Sequence, residues 1–230
     1  MAAAGMSEWR RFGSTAGLDE ALAAHLASRL ATDISHRGHA SLAVSGGGTP
    51  TGMFRQLSRC ELDWARVWLT LVDERCVAAD SPDSNERLVR QHLLQNRAAA
   101  ARFIGMAEAG ATGLEALGAQ MEMIPKPFSA VVLGMGGDGH TASWFPHAEN
   151  LPALLDPQNP IDVALTDPVT APHRRLTLTL AAVLDSSEIN IHITGEEKQA
   201  VLESAVAKGC PVAAILQQHT SPVTIWWAPQ

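Results

Sequence analysis

Ser129-Ala-Val-Val-Leu133-Gly-Met-Gly-Gly-Asp-Gly-His-Thr-Ala-Ser-Trp-Phe-Pro146 reads as a buried strand running into a glycine-rich turn. The apolar run from Ser129 to Leu133 shows no polar alternation, as a parallel strand covered on both faces requires. Four glycines, one Asp and one His follow within the seven residues from Gly134 to His140. In open α/β sheets, the place just past the carboxyl end of a strand is where ligands bind. Glycines let the backbone approach an anion closely, while Asp138 and His140 form a titratable pair aimed at the same crevice. A plain turn with polar decoration is the competing reading of this stretch taken alone.

Working outward, Leu18, Leu22, Leu26, Leu30 and Ile34 recur every four residues and predict an amphipathic helix over Leu18 to Ser35, with His25 beside the stripe in a structural role. Ala40–Val44 is a short strand entering Ser45-Gly-Gly-Gly-Thr-Pro50. Thr49 as an N-cap hydroxyl and Pro50 at the first helical position predict a helix from Pro50 to Ser58. Val67–Val72 is a strand that ends at Asp73-Glu74-Arg75, and Ser84–Leu94 is a capped helix. A further helix is expected over Gly113 to Met123.

Six prolines between Pro146 and Pro172 mark a loop-rich insertion with at most a short helix and a short strand. Arg174–Leu180 alternates as a half-buried strand does. Glu188–Thr194 is another strand, followed by Gly195 and a helix to about Lys208. A short helix after Pro211 and a strand from Val223 to Trp227 complete the pattern. Strands alternating with helices predict an α/β fold: a doubly wound, mostly parallel, Rossmann-like sheet sandwiched by helices, as one domain over residues 1–230. The region around 161–180 adds a small antiparallel element.

Composition narrows the function. The chain has 230 residues, 46% hydrophobic and 18% charged, which fits a soluble globular enzyme with a substantial core. A net charge of −7 without a Lys/Arg tract argues against a nucleic-acid partner. Cys60, Cys76 and Cys210 stand in no CxxC or zinc spacing and predict a reduced, cytoplasmic setting. Met1–Gly5 lacks a signal-peptide core, and no window approaches the ~20 apolar residues of a membrane span. Neither a membrane partner nor a cofactor is expected.

The residues able to carry chemistry lie at strand ends. Ser45, Gly46, Gly47, Gly48 and Thr49 sit between a strand and a helix start, where free backbone N–H groups and the helix dipole favour an anion. The spacing is neither a nucleotide P-loop nor a dinucleotide fingerprint, so a small phosphate ester fits better, with a plain tight turn as the alternative. Lys198, one of only three lysines, falls in the first turn of the helix after Gly195. A cation there opposes the helix dipole unless a bound anion or the neighbouring Glu196 and Glu197 offset it. Asp73 and Arg75 end a strand on the same side, where Arg75 can hold a carboxylate or phosphate and Asp73 can hold substrate or a loop. Arg174 and Arg175 point to opposite faces of their strand, and spacing does not choose the inward one. No GxSxG elbow or paired cysteine nucleophile is present, so acyl chemistry would use activated water. His140 is the natural base, since histidine ordinarily titrates near pH ~6.5. The histidines show no metal-ligand spacing.

Three blocks in order carry a resemblance: SGGGTP at Ser45–Pro50, VDER at Val72–Arg75 with Ser84-Asn85 following, and LGMGGDGHTASWFP at Leu133–Pro146. The chain resembles the 6-phosphogluconolactonase family, and Pro172–Thr179 and Ile193–Lys198 extend the match over nearly its whole length. The resemblance implies hydrolysis of 6-phospho-D-glucono-1,5-lactone to 6-phosphogluconate in the oxidative pentose phosphate pathway. It further implies a phosphate grip by Ser45–Thr49, Lys198 and one of Arg75, Arg174 and Arg175. His140 is then the base, with Asp138 orienting it and the turn bearing Gly136, Gly137 and Gly139 meeting the substrate and stabilising the oxyanion through its N–H groups. Trp144, where these lactonases usually carry Leu, is expected beside the site.

Two alternatives belong with this reading. Glucosamine-6-phosphate deaminase/isomerases share the glycine-rich loop and Asp-Gly-His core, but carry an acidic residue before the proline where this chain has Ala142-Ser-Trp-Phe145. A non-enzymatic sugar-phosphate sensor would carry a DNA-binding region, for which no basic segment is visible. The expected assembly is a monomer or weak homodimer.

Overall fold

The computed structural model describes residues 7–107 and 113–230. The reading of Met1–Gly5 therefore lies outside the described residues. Seven parallel strands form the main sheet: β1 (Glu8–Arg11), β2 (Ala40–Val44), β3 (Val67–Leu71), β5 (Arg102–Ile104), β6 (Ala130–Leu133), β9 (Ile189–Thr194) and β10 (Val223–Ala228). Their spatial order is β1-β10-β9-β6-β2-β3-β5. A second sheet is antiparallel, with β8 (Arg175–Leu178) between β4 (Asp73–Arg75) and β7 (Val163–Thr166). The α/β class and its small antiparallel addition are both present.

The central strands β2 and β6 are buried at every position, because helices cover both faces of a parallel sheet. Helix α1 (Thr15–Arg37) lays Leu18, Leu22, Leu26 and Leu30 into the core. The Ser14 hydroxyl accepts from the Gly17 N–H at its start, and Gly38 at φ 78° closes it in the left-handed conformation glycine tolerates. His25 of α1 bonds Glu188 at 2.8 Å, in keeping with a structural role. The remaining helices are α2 (Thr51–Leu57), α3 (Asn85–His92), α4 (Leu114–Met121), α5 (Leu151–Leu154), α6 (Leu180–Leu184), α7 (Glu196–Lys208) and α8 (Ala213–Gln217).

Three expectations need correction, and two strands were not expected at all. Asp73–Arg75 does not end β3; it leaves the main sheet and forms β4, paired with β8. Arg175–Leu178 is buried at every position, not half-buried, and Leu180 already begins α6. The proline Pro50 caps α2 without a side-chain bond, so the Thr49 hydroxyl is not its cap. Strands β1 and β5 had no counterpart in the sequence reading.

Glu74 fastens β4 to α3. Its carboxylate accepts from the backbone N–H groups of Arg75, Asn85 and Glu86 and from the Ser84 hydroxyl. Burial nevertheless pushes its carboxyl upward against those four donors. The connection places Arg75 and Asn85 on the same side as the glycine-rich turn.

Candidate active site

Strands β2, β6 and β9 deliver their carboxyl ends to one cavity of about 200 Å³, the crevice that an open α/β sheet offers a ligand. One wall is the loop from Ser45 to Pro50. The Ser45 hydroxyl accepts from the Gly134 N–H at 3.1 Å, so this loop and the glycine-rich turn are joined directly. Gly47 adopts φ 87°, which a side chain would strain. At Gly46 a Cβ would lie 1.9 Å from Oδ1 of Asn85, a buried residue whose amide also donates to the Asp73 carbonyl at 2.8 Å. Gly46→Ala is expected to lower stability by about 1–3 kcal/mol, as overpacking does, and the melting temperature by roughly 2–10 °C. An unchanged melting temperature would show that Asn85 yields freely.

The opposite wall carries Gly134, Met135, Gly136, His140, Thr141 and Ala142. The turn closes on itself: Gly136 N–H donates to the His140 carbonyl at 2.9 Å, Gly139 N–H to the Gly136 carbonyl at 3.1 Å, and the Thr141 hydroxyl to the Gly134 carbonyl at 2.7 Å. His140 Nδ1 bonds Asp138 Oδ1 at 2.5 Å, and the same oxygen accepts from the His140 backbone N–H at 3.1 Å. Burial pushes the Asp138 carboxyl up, but the His140 N–H and imidazole outweigh it and hold the pKa below the ordinary value. With Nδ1 engaged by a carboxylate, Nε2 is the nitrogen left to exchange a proton. The Phe145 ring packs against the imidazole at a centroid distance of 4.3 Å.

Two cations reach the cavity, Arg75 and Lys198. Arg75 is steadied by a bond to the Asp83 carbonyl at 2.5 Å. Lys198 is half-buried, and burial lowers its pKa although Glu197 counteracts. The two other arginines do not line the cavity. Arg174 is exposed and grips Asp167 with two bonds of 2.8 and 2.9 Å. Arg175 is only 5% exposed, donates to the Pro172 carbonyl and faces Arg75 across the β4–β8 ladder. Burial first, then the Arg75 charge, lowers its pKa.

The other expected positions divide. Ser45, Gly46, Gly47, Gly48, Thr49, Asp73 and Gly136 line the cavity, whereas Gly137 and Gly139 do not. Asp138 reaches it only through His140. Asp73 is tied by its carboxylate to the Ser143 hydroxyl at 2.6 Å, so it braces the turn as well as facing the cavity. The N–H groups of Gly134, Gly136 and Gly139 all donate within the protein, so these three are not free oxyanion donors. Trp144 is fully buried away from the cavity, its indole N–H donating to the Leu178 carbonyl at 2.8 Å. Asn85, Thr141 and His192 are wall residues that the sequence reading did not select. Among the described residues no three His, Cys, Asp or Glu side chains converge as metal ligands do.

The family described as glucosamine-6-phosphate isomerases/6-phosphogluconolactonase matches residues 13–226. A 6-phosphogluconolactonase from Mesorhizobium japonicum is 45% identical over 227 residues, covering 96% of this chain and 95% of the relative. Another from Rhizobium meliloti is 45% identical over 226 residues, covering 95% and 97%. The crystal structure of a 6-phosphogluconolactonase from Shewanella baltica superposes with a TM-score of 0.90 at 43% identity, covering 96% of this chain and 97% of that one.

Proposed function

We propose that this chain, which belongs to the glucosamine-6-phosphate isomerase/6-phosphogluconolactonase family, hydrolyses 6-phospho-D-glucono-1,5-lactone to 6-phospho-D-gluconate. The observation that carries the mechanism is the 2.5 Å bond between Asp138 and His140 Nδ1, on the wall facing the Ser45–Thr49 loop. It fixes a tautomer whose free nitrogen, Nε2, can take a proton from water. The oxygen of that water bonds to the lactone carbonyl carbon, and the carbonyl electrons move to its oxygen. Collapse of the tetrahedral intermediate breaks the bond to the ring oxygen. The imidazolium returns its proton to that oxygen, giving a C5 hydroxyl and a carboxylic acid that ionises.

The loop from Ser45 to Thr49, with Lys198 and Arg75, grips the phosphate at a distance from the bond that breaks, so binding energy orients the reacting carbon. Arg174 and Arg175, which do not line the cavity, take no part in this reading. With the Gly134, Gly136 and Gly139 N–H groups engaged, the oxyanion is met by the remaining turn N–H groups and the nearby cations. Residues 1–230 act as one catalytic domain in the cytoplasm, as a monomer or weak dimer. Among the described residues no helix is long and apolar enough to cross a membrane.

The isomerase alternative is not favoured, because no acidic side chain stands between Ala142 and Pro146 to open a sugar ring. The direct test uses lactone generated freshly and measures the acid released with and without the protein. Catalysed release, well above spontaneous opening, is the expected result. A rate equal to the spontaneous one would discard the reading, and ammonia release from glucosamine 6-phosphate would redirect it.

A further inference from the structure

His192 lies on β9 and its ring forms part of the cavity wall, yet the mechanism above gives it no task. The residue is only 2% exposed, and neither ring nitrogen has a hydrogen-bond partner among the described residues. Nε2 stands 3.6 Å from Oδ1 of Asp19 on α1, and that oxygen also lacks a partner there. The strand alternates: Ile189, Ile191 and Ile193 occupy one face, Asn190 and His192 the other. Asn190 is satisfied by the Trp226 indole and Glu188, so the unmet polarity on this face belongs to His192.

Asp19 lies against the first turn of α2. The absent side chain of Gly52 makes room for its carboxylate, since a Cβ there would lie 1.9 Å from Oδ2. Burial raises the Asp19 pKa to about 6, while burial and then the Lys198 charge lower that of His192 to about 4. At neutral pH the pair is a carboxylate beside an uncharged imidazole. The favoured tautomer directs Nε2–H at the carboxylate and leaves Nδ1 with a lone pair.

We infer that His192 is a specificity residue of this cavity, accepting on Nδ1 a hydrogen bond from a sugar hydroxyl of the ligand, with the Asp19 carboxylate on the other side of the ring. An acceptor nitrogen needs a donor, and the dianion of a phosphate monoester has no proton to offer, whereas a polyol chain has several. The loop, Arg75 and Lys198 therefore read the phosphate, and His192 reads the carbohydrate. A buried group left without its partner penalises ligands that lack the hydroxyl, which is how such sites discriminate. The inference rests on the sugar-phosphate reading of the cavity.

The test is calorimetric titration of 6-phosphogluconate and of inorganic phosphate into the wild type, His192→Phe and His192→Asn. His192→Phe is expected to weaken phosphogluconate about 3- to 10-fold and to change inorganic phosphate less than about 2-fold. His192→Asn, whose amide oxygen takes the place of Nδ1, should recover most of the loss. Equal losses for both ligands, or none for phosphogluconate, would overturn the assignment. In the unaltered protein the imidazole ¹⁵N signals give the same answer without any substitution. The Nδ1 resonance should shift with phosphogluconate and stay put with phosphate; identical responses sink the idea even if the variants do not fold. Lactone hydrolysis by the wild type, measured alongside, separates the two failures. Hydrolysis with an indifferent His192 removes this inference alone, and absence of hydrolysis removes the reading beneath it.

Discussion

His140→Ala should lower turnover of the phosphorylated lactone by about 10²–10⁴-fold, the range that a positioned general base supplies. The imidazole lines the cavity with its Nδ1 committed to Asp138, which leaves Nε2 to exchange a proton with water. Removing the ring leaves the Ser45–Thr49 loop, Arg75 and Lys198 in place, so affinity for 6-phosphogluconate should change only a few-fold. The signature is a fall in kcat with a nearly constant KM, as expected when an interaction made in the transition state is lost. Initial rates on freshly prepared lactone, with product binding by calorimetry, measure both halves. Wild-type turnover in this variant would take His140 out of the mechanism.

Lys198→Met should act in the opposite manner, weakening phosphogluconate by roughly 10- to 150-fold, the value of a hydrogen bond to a charged group. It should also make the unliganded protein more stable. Burial lowers the lysine pKa from its ordinary 10.5, so between the lowered value and 10.5 the unfolded chain binds more protons than the folded one. Stability therefore rises with pH across that window, and the cost of the buried cation is fully present below it. Methionine has no charge to bury and keeps the aliphatic length. A higher melting temperature together with weaker binding identifies a residue kept for its ligand. Unaltered affinity would remove Lys198 from the phosphate grip.

Much of this architecture was legible because burial on both faces leaves a plain mark. Ala40–Val44 and Ala130–Leu133 are continuous apolar runs, and the four-residue recurrence of Leu18 to Leu30 can only be a helix face. By contrast, Glu8-Trp-Arg-Arg11 carries no such mark, since its partner is β10 at the far end of the chain and its charges face solvent at an edge. The two arginines show a different limit. A pleat guarantees that Arg174 and Arg175 diverge, but only the register that sets Arg175 opposite Arg75 decides which is buried. For His192 a signal was present: Ile-Asn-Ile-His-Ile alternates polar with apolar inside a strand that has no solvent-exposed face. Asn85 stood in the Ser84-Asn85 pair that follows VDER, but its contact with Gly46 depends on the exit of β4 from the main sheet, which no local pattern marks.

The main sheet is bounded by β1, four residues long, and β5, three residues long. A rim that short offers an incoming chain almost no ladder to extend, and Arg10 and Arg11 on one edge and Arg102 on the other keep hydrated charge beside what little there is. The sheet that builds the crevice thus ends in margins of the kind that discourage sideways pairing of one folded molecule with the next.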